Sequence, residues 1–178
     1  MKSFDESLHV SFFRNAQFFA ADLFYESFGH PFPVPRESAG LSIATPAGDW
    51  WQEVAFYKWS EQHIEAVGFC NWIRYENCYL CGGMCVRANF YRRLSREQWA
   101  ACRERGGIAQ IMLETAFATI TDCRAWFGYC GDRKAYIVDI RAGYQPTRHR
   151  YLIVKWNEEL SEPDQRALED RIAQIGPF

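Results

Sequence analysis

Apolar and polar positions along this chain fall into runs that switch between the two-residue period of a strand and the three-to-four-residue period of a helix. Leu8 to Arg14 reads as a first strand. A helix follows over 16–28, capped by Asn15, with Phe19, Leu23, Phe24 and Phe28 forming a wide apolar stripe and Gly29 as its stop. Three extended runs come next, Trp51 to Trp59, His63 to Tyr75 and Asn77 to Val86, with turns at Glu61-Gln62 and Glu76-Asn77. Short turns between extended runs predict an antiparallel meander. Gly82-Gly83 lies inside the third run, where paired glycines weaken a strand and mark a bulge or a close backbone approach.

The second half alternates helix and strand. Ser95-Arg96-Glu97-Gln98 is a capping box that opens a short helix through Arg103. A glycine pair, Gly106-Gly107, breaks it, and a second helix runs from about Ile108 to Thr121. Arg124 to Cys130 is a strand, Arg133 to Ala142 a helix, and Arg150 to Trp156 a strand. A last helix is capped at Ser161 to Asp164 and carries Leu168, Ile172 and Ile175 on one face. Between the first helix and the meander, residues 30–49 hold four of the seven prolines and read as a surface loop, too long for a plain connector. The expected organisation is a single domain with its core over about 8–156 and a helical extension over 157–178.

Composition changes this picture little. The chain has 178 residues, 48% of them hydrophobic and 24% charged, as in ordinary globular proteins. Its net charge of −2 gives no general pull toward nucleic acid or an anionic membrane. The aromatic content of 17% is high and serves either a core or an interface. Seven cysteines, an odd number without framework spacing, and a polar N-terminal stretch lead to the expectation of a reducing, cytosolic setting with mostly free thiols.

The richest local chemistry is Glu104-Arg105-Gly106-Gly107-Ile108-Ala109. A helix start exposes unpaired N–H groups and carries roughly half a positive charge, and glycines let a phosphate approach that backbone closely. Together with Tyr79 to Val86 and the helix, strand, helix, strand order from Gly106 to Trp156, this run resembles the GNAT-type N-acetyltransferase superfamily over roughly residues 8–156. The resemblance implies an α/β fold with a mixed sheet in which a bulged fourth strand parts from the fifth. It implies acetyl-CoA as co-substrate and an amine as acceptor. Met84, Cys85 and Val86 would face the pantetheine arm, with the backbone N–H near Cys85 as oxyanion donor. Arg103, Arg105, Gly106, Gly107, Ile108 and Ala109 would hold the diphosphate. The chain departs from the family pattern at four places, one of them Asp132, which stands where the family usually opens the helix over 133–142 with an asparagine. Glu104 stands at the first position of the phosphate pattern, Asp139 stands where many members carry a tyrosine that protonates the leaving thiolate, and 87–103 inserts a helix. Tyr136, about one turn before Asp139, is the alternative acid. Glu76, Glu53 and His63 are the candidate bases on or near the meander, and Glu76 is taken forward with Tyr136 as the catalytic pair.

Cys78, Cys81 and Cys85 invite a zinc reading, but on one strand Cys78 points away from the other two, so no metal is expected. Between Arg87 and Arg105 six arginines face two glutamates, a bias that suits CoA phosphates, nucleic acid or an acidic protein, or else a solvated helix. Three functions stand side by side. The first is an acetyl-CoA-dependent N-acyltransferase. The second is a GNAT-like assembly protein without catalysis, similar in texture to such proteins carried by tailed bacteriophages and located in the particle. The third is a nucleic-acid-binding module on the arginine-rich insertion. The exposed side of the last helix and the 30–49 loop are candidate contacts for assembly partners or a second copy.

Overall fold

The computed structural model describes residues 2–32 and 50–178; residues 33–49, most of the proline-rich stretch, lie outside the described residues. The chain opens with a single turn, α1 (Phe4–Ser7), set by a capping box between Ser3 and Glu6 that the hydrophobic pattern did not reveal. β1 (Leu8–Phe13) and α2 (Gln17–Phe28) follow. The helix begins one residue later than its Asn15 cap implies: Ala16 is the N-cap without a side-chain bond, while Asn15 Oδ1 accepts from the Gln17 N–H at 2.9 Å. Gly29 stops the helix in the left-handed conformation at φ 71°.

The meander forms as expected: β2 (Trp50–Ser60), β3 (His63–Tyr75) and β4 (Cys78–Val86) are antiparallel neighbours. The insertion holds two helices, α3 (Phe90–Arg93) and α4 (Arg96–Glu104), the second opened by the Ser95–Gln98 capping box. Then come α5 (Ile108–Thr119), β5 (Ala125–Tyr129), α6 (Arg133–Arg141), a two-residue β6 (Gln145–Pro146), β7 (Leu152–Trp156) and α7 (Glu162–Ile175). The strand expected from Arg150 starts at Leu152, because Tyr151 turns the chain with a positive φ of 67°.

The described strands make one mixed sheet in the order β1-β2-β3-β4-β5-β7-β6. Every pair is antiparallel except β4 with β5. This is a mixed α/β architecture with the element order and the parallel fourth and fifth strands of a GNAT-like fold. On one face α5 packs Ile108, Ile111, Met112 and Ala116 against Val67, Trp72, Trp126 and Ile153. On the other, α2 covers Val54 and Phe69 through Ala20, Leu23 and Phe24, and α7 covers Leu80, Phe127 and Val154 through Leu168 and Ile172. Much of the aromatic content is core: Trp126 stacks on Tyr79 with centroids 5.1 Å apart and meets Trp72 edge-on at 5.0 Å. Among the described residues no helix is long and apolar enough to cross a membrane.

The arginine-rich insertion is largely structural. The Arg87 guanidinium is buried and donates to Asp22 (2.9 Å), Glu26 (2.8 Å) and the Ala66 carbonyl (3.1 Å), tying α2 to the end of β4. Arg93 bonds Glu65 at 2.6 Å and Arg105 bonds Asp5 at 2.6 Å. Carboxylates brought in from α1, α2 and β3 thus offset part of a charge excess that looked local in sequence.

Candidate functional site

β4 pairs with β5 only from Cys78 with Ala125 to Cys81 with Gly128, and there the two strands part. β4 runs on to Val86 beside β3 alone, so its edge from Gly82 to Val86 has no strand partner on the β5 side. The glycine pair brings this about. Cys70 pairs with Met84 while Trp72 pairs with Cys81, so two steps along β3 answer three along β4. The extra residue is a bulge, and Gly83 sits in it at φ +116°, a conformation side-chain-bearing residues rarely adopt. Gly82 is needed for space: a Cβ there would lie 2.7 Å from Ile73 and 3.0 Å from Asn71.

The bulge also reverses part of the sequence reading. Cys81, Met84 and Val86 face the α5 side, whereas Cys78 and Cys85 face the opposite side. The expectation that Cys81 and Cys85 share a face is therefore corrected, since one inserted residue shifts the two-residue alternation. Among the described residues no group of three His, Cys, Asp or Glu side chains is placed to hold a metal ion.

A cleft of about 370 Å³ occupies the gap between the parted strands. Met84, Val86, Ala109, Asp139 and Tyr144 line it from the α5 side, and Cys85, Tyr129 and Phe178 from the other, so it passes through the sheet. Its volume falls within the range of small-molecule sites, roughly 300–1,000 Å³.

At the glycine corner the structure uses most of the backbone itself. The Gly106 N–H donates to Arg103 O at 3.0 Å and the Gly107 N–H to Cys102 O at 2.9 Å. These two bonds close α4 in a Schellman arrangement, and positive φ values of 81° and 92° explain the glycines. The Ile108 N–H donates to the Tyr91 hydroxyl at 3.2 Å. Gln110 folds back over Gly106, where a Cβ would lie 2.4 Å from its Oε1. The N–H groups of Ala109 and Gln110 have no acceptor among the described residues, and Ala109 lines the cleft. Arg103 is exposed without an acidic partner among the described residues, while Arg105 is paired to Asp5. Of the residues expected at a diphosphate, Gly106, Gly107 and Ile108 thus have their amides engaged within the protein. Ala109 and the two guanidinium groups stay near the surface. The inserted segment that carries Tyr91 is the physical reason: it fills the corner the resemblance leaves open.

The titratable groups of the cleft are not the pair expected from sequence. Asp139 lines it, and burial raises its carboxyl above the ordinary value, partly offset by a hydrogen bond from Cys130. Burial and the Asp139 carboxylate push the Cys130 thiol up to about 12. Tyr144 is 4% exposed, its hydroxyl is buried without a partner, and burial holds its phenol well above the ordinary value. Tyr136 does not line the cleft: it is exposed on α6 and borders a neighbouring depression with Arg148, Arg150 and Tyr151. α6 lines the cleft with Lys134, Ala135, Val138 and Asp139, and of these Asp139 is the acid. Glu76 sits in the β3–β4 turn at φ 51°, with Oε2 3.5 Å from Arg171, at the end of β4 away from the cleft. His63 is exposed at the start of β3. Glu53 is fully buried on β2: its Oε2 accepts from Trp72 Nε1 at 2.9 Å, its Oε1 has no partner, and burial raises its carboxyl well above the usual range. Tyr144 is a residue the sequence reading did not single out, and nothing in the one-dimensional pattern says that it ends at the cleft with its hydroxyl buried.

No family model matches the chain, and no curated protein matches it. Among solved structures, it is similar to a putative N-acetyltransferase from Lactobacillus plantarum (12% identity, TM-score 0.48, covering 85% of this chain and 99% of that one). It is also similar to the ribosomal-protein-S18-alanine N-acetyltransferase from Escherichia coli (10% identity, TM-score 0.46, covering 87% and 97%). A third is a putative GNAT-family acetyltransferase from Bacteroides thetaiotaomicron (15% identity, TM-score 0.46, covering 93% and 97%). The fold assignment rests on the strand order and on the parting of β4 from β5.

Proposed function

We propose that the protein is a GNAT-type acyltransferase that moves an acetyl group from acetyl-CoA to an amine. The observation that carries this reading is the unpaired edge of β4 from Gly82 to Val86, open along a cleft that reaches the first amides of α5. The bound thioester would supply the activated acyl group. The backbone of Met84, Cys85 and Val86 pairs with the amide-bearing arm of the carrier, and the N–H near Cys85 polarises the acyl oxygen. The amides of Ala109 and Gln110, with Arg103 and Arg105, receive the diphosphate. Burial separates two proton-handling groups in the cleft. Asp139, with its carboxyl raised, is the better matched to accept the ammonium proton, and Tyr144 stays protonated at neutral pH and donates to the departing thiolate. Tyr136 and Glu76, both outside the cleft, take no part.

Release of CoA thiol from acetyl-CoA across a panel of small amines, polyamines and peptide N-termini tests the reading. Thiol release that falls steeply in Asp139→Asn and Tyr144→Phe, with acetyl-CoA binding kept, is the expected result. Absence of both binding and release overturns it.

A second reading, a GNAT-like fold that serves assembly without an acyl carrier, draws on the Tyr91 hydroxyl and Gln110 at the glycine corner and on Phe178 beside Tyr129 in the cleft. Under that reading acetyl-CoA leaves the melting temperature unchanged.

A further inference from the structure

The Sγ atoms of Cys70 on β3 and Cys81 on β4 lie 3.5 Å apart, a direct thiol–thiol contact between adjacent strands. They are not a directly opposed pair, since Cys81 faces Trp72 across the ladder and Cys70 faces Met84, so the bulge sets them diagonally. Their positions differ in access. Cys70 is 0% exposed, whereas Cys81 is partly exposed and lines the cleft. Cys81 is also the last residue of β4 that pairs with β5 before the strands part.

We propose that Cys70 and Cys81 form a peroxide-oxidisable dithiol at the apex of the cleft, with Cys81 as the attacked thiol and Cys70 as the resolving one. Hydrogen peroxide enters the cleft, its O–O bond breaks, and Cys81 takes one oxygen as a sulfenic acid while the other leaves as water. The Cys70 sulfur then attacks Cys81 Sγ, the S–O bond breaks, and a second water leaves. Two thiols give two electrons to one peroxide. The sulfurs must close by about 1.5 Å to reach the roughly 2.05 Å of a disulfide, a change within the reach of side-chain rotation. Burial holds the Cys70 thiol protonated, which leaves the first step to its partly exposed partner.

The site stands whether or not the cleft takes an acyl carrier, and so does its test. Purified protein is treated with a small excess of hydrogen peroxide and its mass is measured intact and after trypsin. Wild type should lose two hydrogen masses and join peptide 59–74 to peptide 75–87 through Cys81, reversibly with dithiothreitol. Cys70→Ser should instead leave a Cys81 sulfenic acid that dimedone captures. If Cys70→Ser does not fold, Cys81→Ser serves in its place and should leave peptide 59–74 unlinked. A Cys81 dimedone adduct in wild type without the cross-link, or a cross-link through Cys78 or Cys85, overturns the proposal.

Discussion

Replacing Gly83 by alanine separates the energetic role of the bulge from its role in shaping the cleft. At φ +116° a side-chain-bearing residue is strained by about 1–3 kcal/mol. Steric conflict adds little, because among the described residues the new Cβ would meet only Phe28 Cζ at 3.5 Å, an ordinary contact. Taking roughly 2 kcal/mol, and about 2–4 °C per kcal/mol for a chain of this size, the melting temperature should fall by roughly 4–8 °C. Rotating the bulge to relieve the strain would reorient the backbone of Met84 to Val86 along the cleft. The variant should therefore also lose the stabilisation by acetyl-CoA that the proposed function predicts for wild type, about 2.7 kcal/mol at a hundredfold excess over Kd. Gly29→Ala is the control. It too has a positive φ, 71°, with nothing among the described residues within 4 Å of a Cβ, so it should cost about 1 kcal/mol and leave the acetyl-CoA shift intact. A Gly83→Ala protein as stable as wild type, or one that keeps the full ligand shift, would refute the reasoning.

Tyr91→Phe strips the acceptor from the Ile108 N–H and should lower stability in urea by about 1–2 kcal/mol, with acetyl-CoA affinity changed by less than about twofold, because the diphosphate is assigned to the next two amides. A large gain in affinity would mean that the tyrosine competes with the ligand. Glu53→Gln should keep the bond from Trp72 while removing the ionisable group. Because the folded carboxyl titrates above its ordinary value of 4.5, wild type loses stability as pH rises from that value toward its folded pKa, and the variant does not. Urea midpoints should diverge upward from about pH 4.5 in favour of the glutamine and converge below it; parallel profiles would show Glu53 to be solvated. Arg87→Met removes a guanidinium shared by Asp22, Glu26 and Glu65 and should cost roughly 2–3 kcal/mol, a value tempered because Asp22 and Glu26 remain largely in water. A loss below about 0.5 kcal/mol would mean that the charge excess of the insertion is not structural.

Local pattern carried the fold because local rules made it. The alternation of 51–86, the Ser95–Gln98 box, the Gly29 stop and the bulge at Gly82-Gly83 each follow from residues within a few positions of one another. Long-range facts were not legible. Tyr91 reaches the Ile108 amide from 17 residues away, and the acids that neutralise Arg87 lie 61 and 65 residues distant. One extra residue in β4 was visible as a glycine pair, but its consequence, Cys85 turning from the Cys81 face, depends on where pairing resumes with β3. The choice between Tyr136 and Asp139 turned on about 60° of helix rotation, finer than an apolar stripe resolves. The end of α6 is a local matter, yet the isolation of the Tyr144 hydroxyl just beyond it is a property of the packed core.

Isothermal titration of the protein with acetyl-CoA tests the central claim most directly. The account predicts a saturable isotherm with one site per chain, displaced by CoA and lost in Gly83→Ala but not in Gly29→Ala. A flat titration with folded wild-type protein would contradict it and leave the parted strands without an acyl carrier.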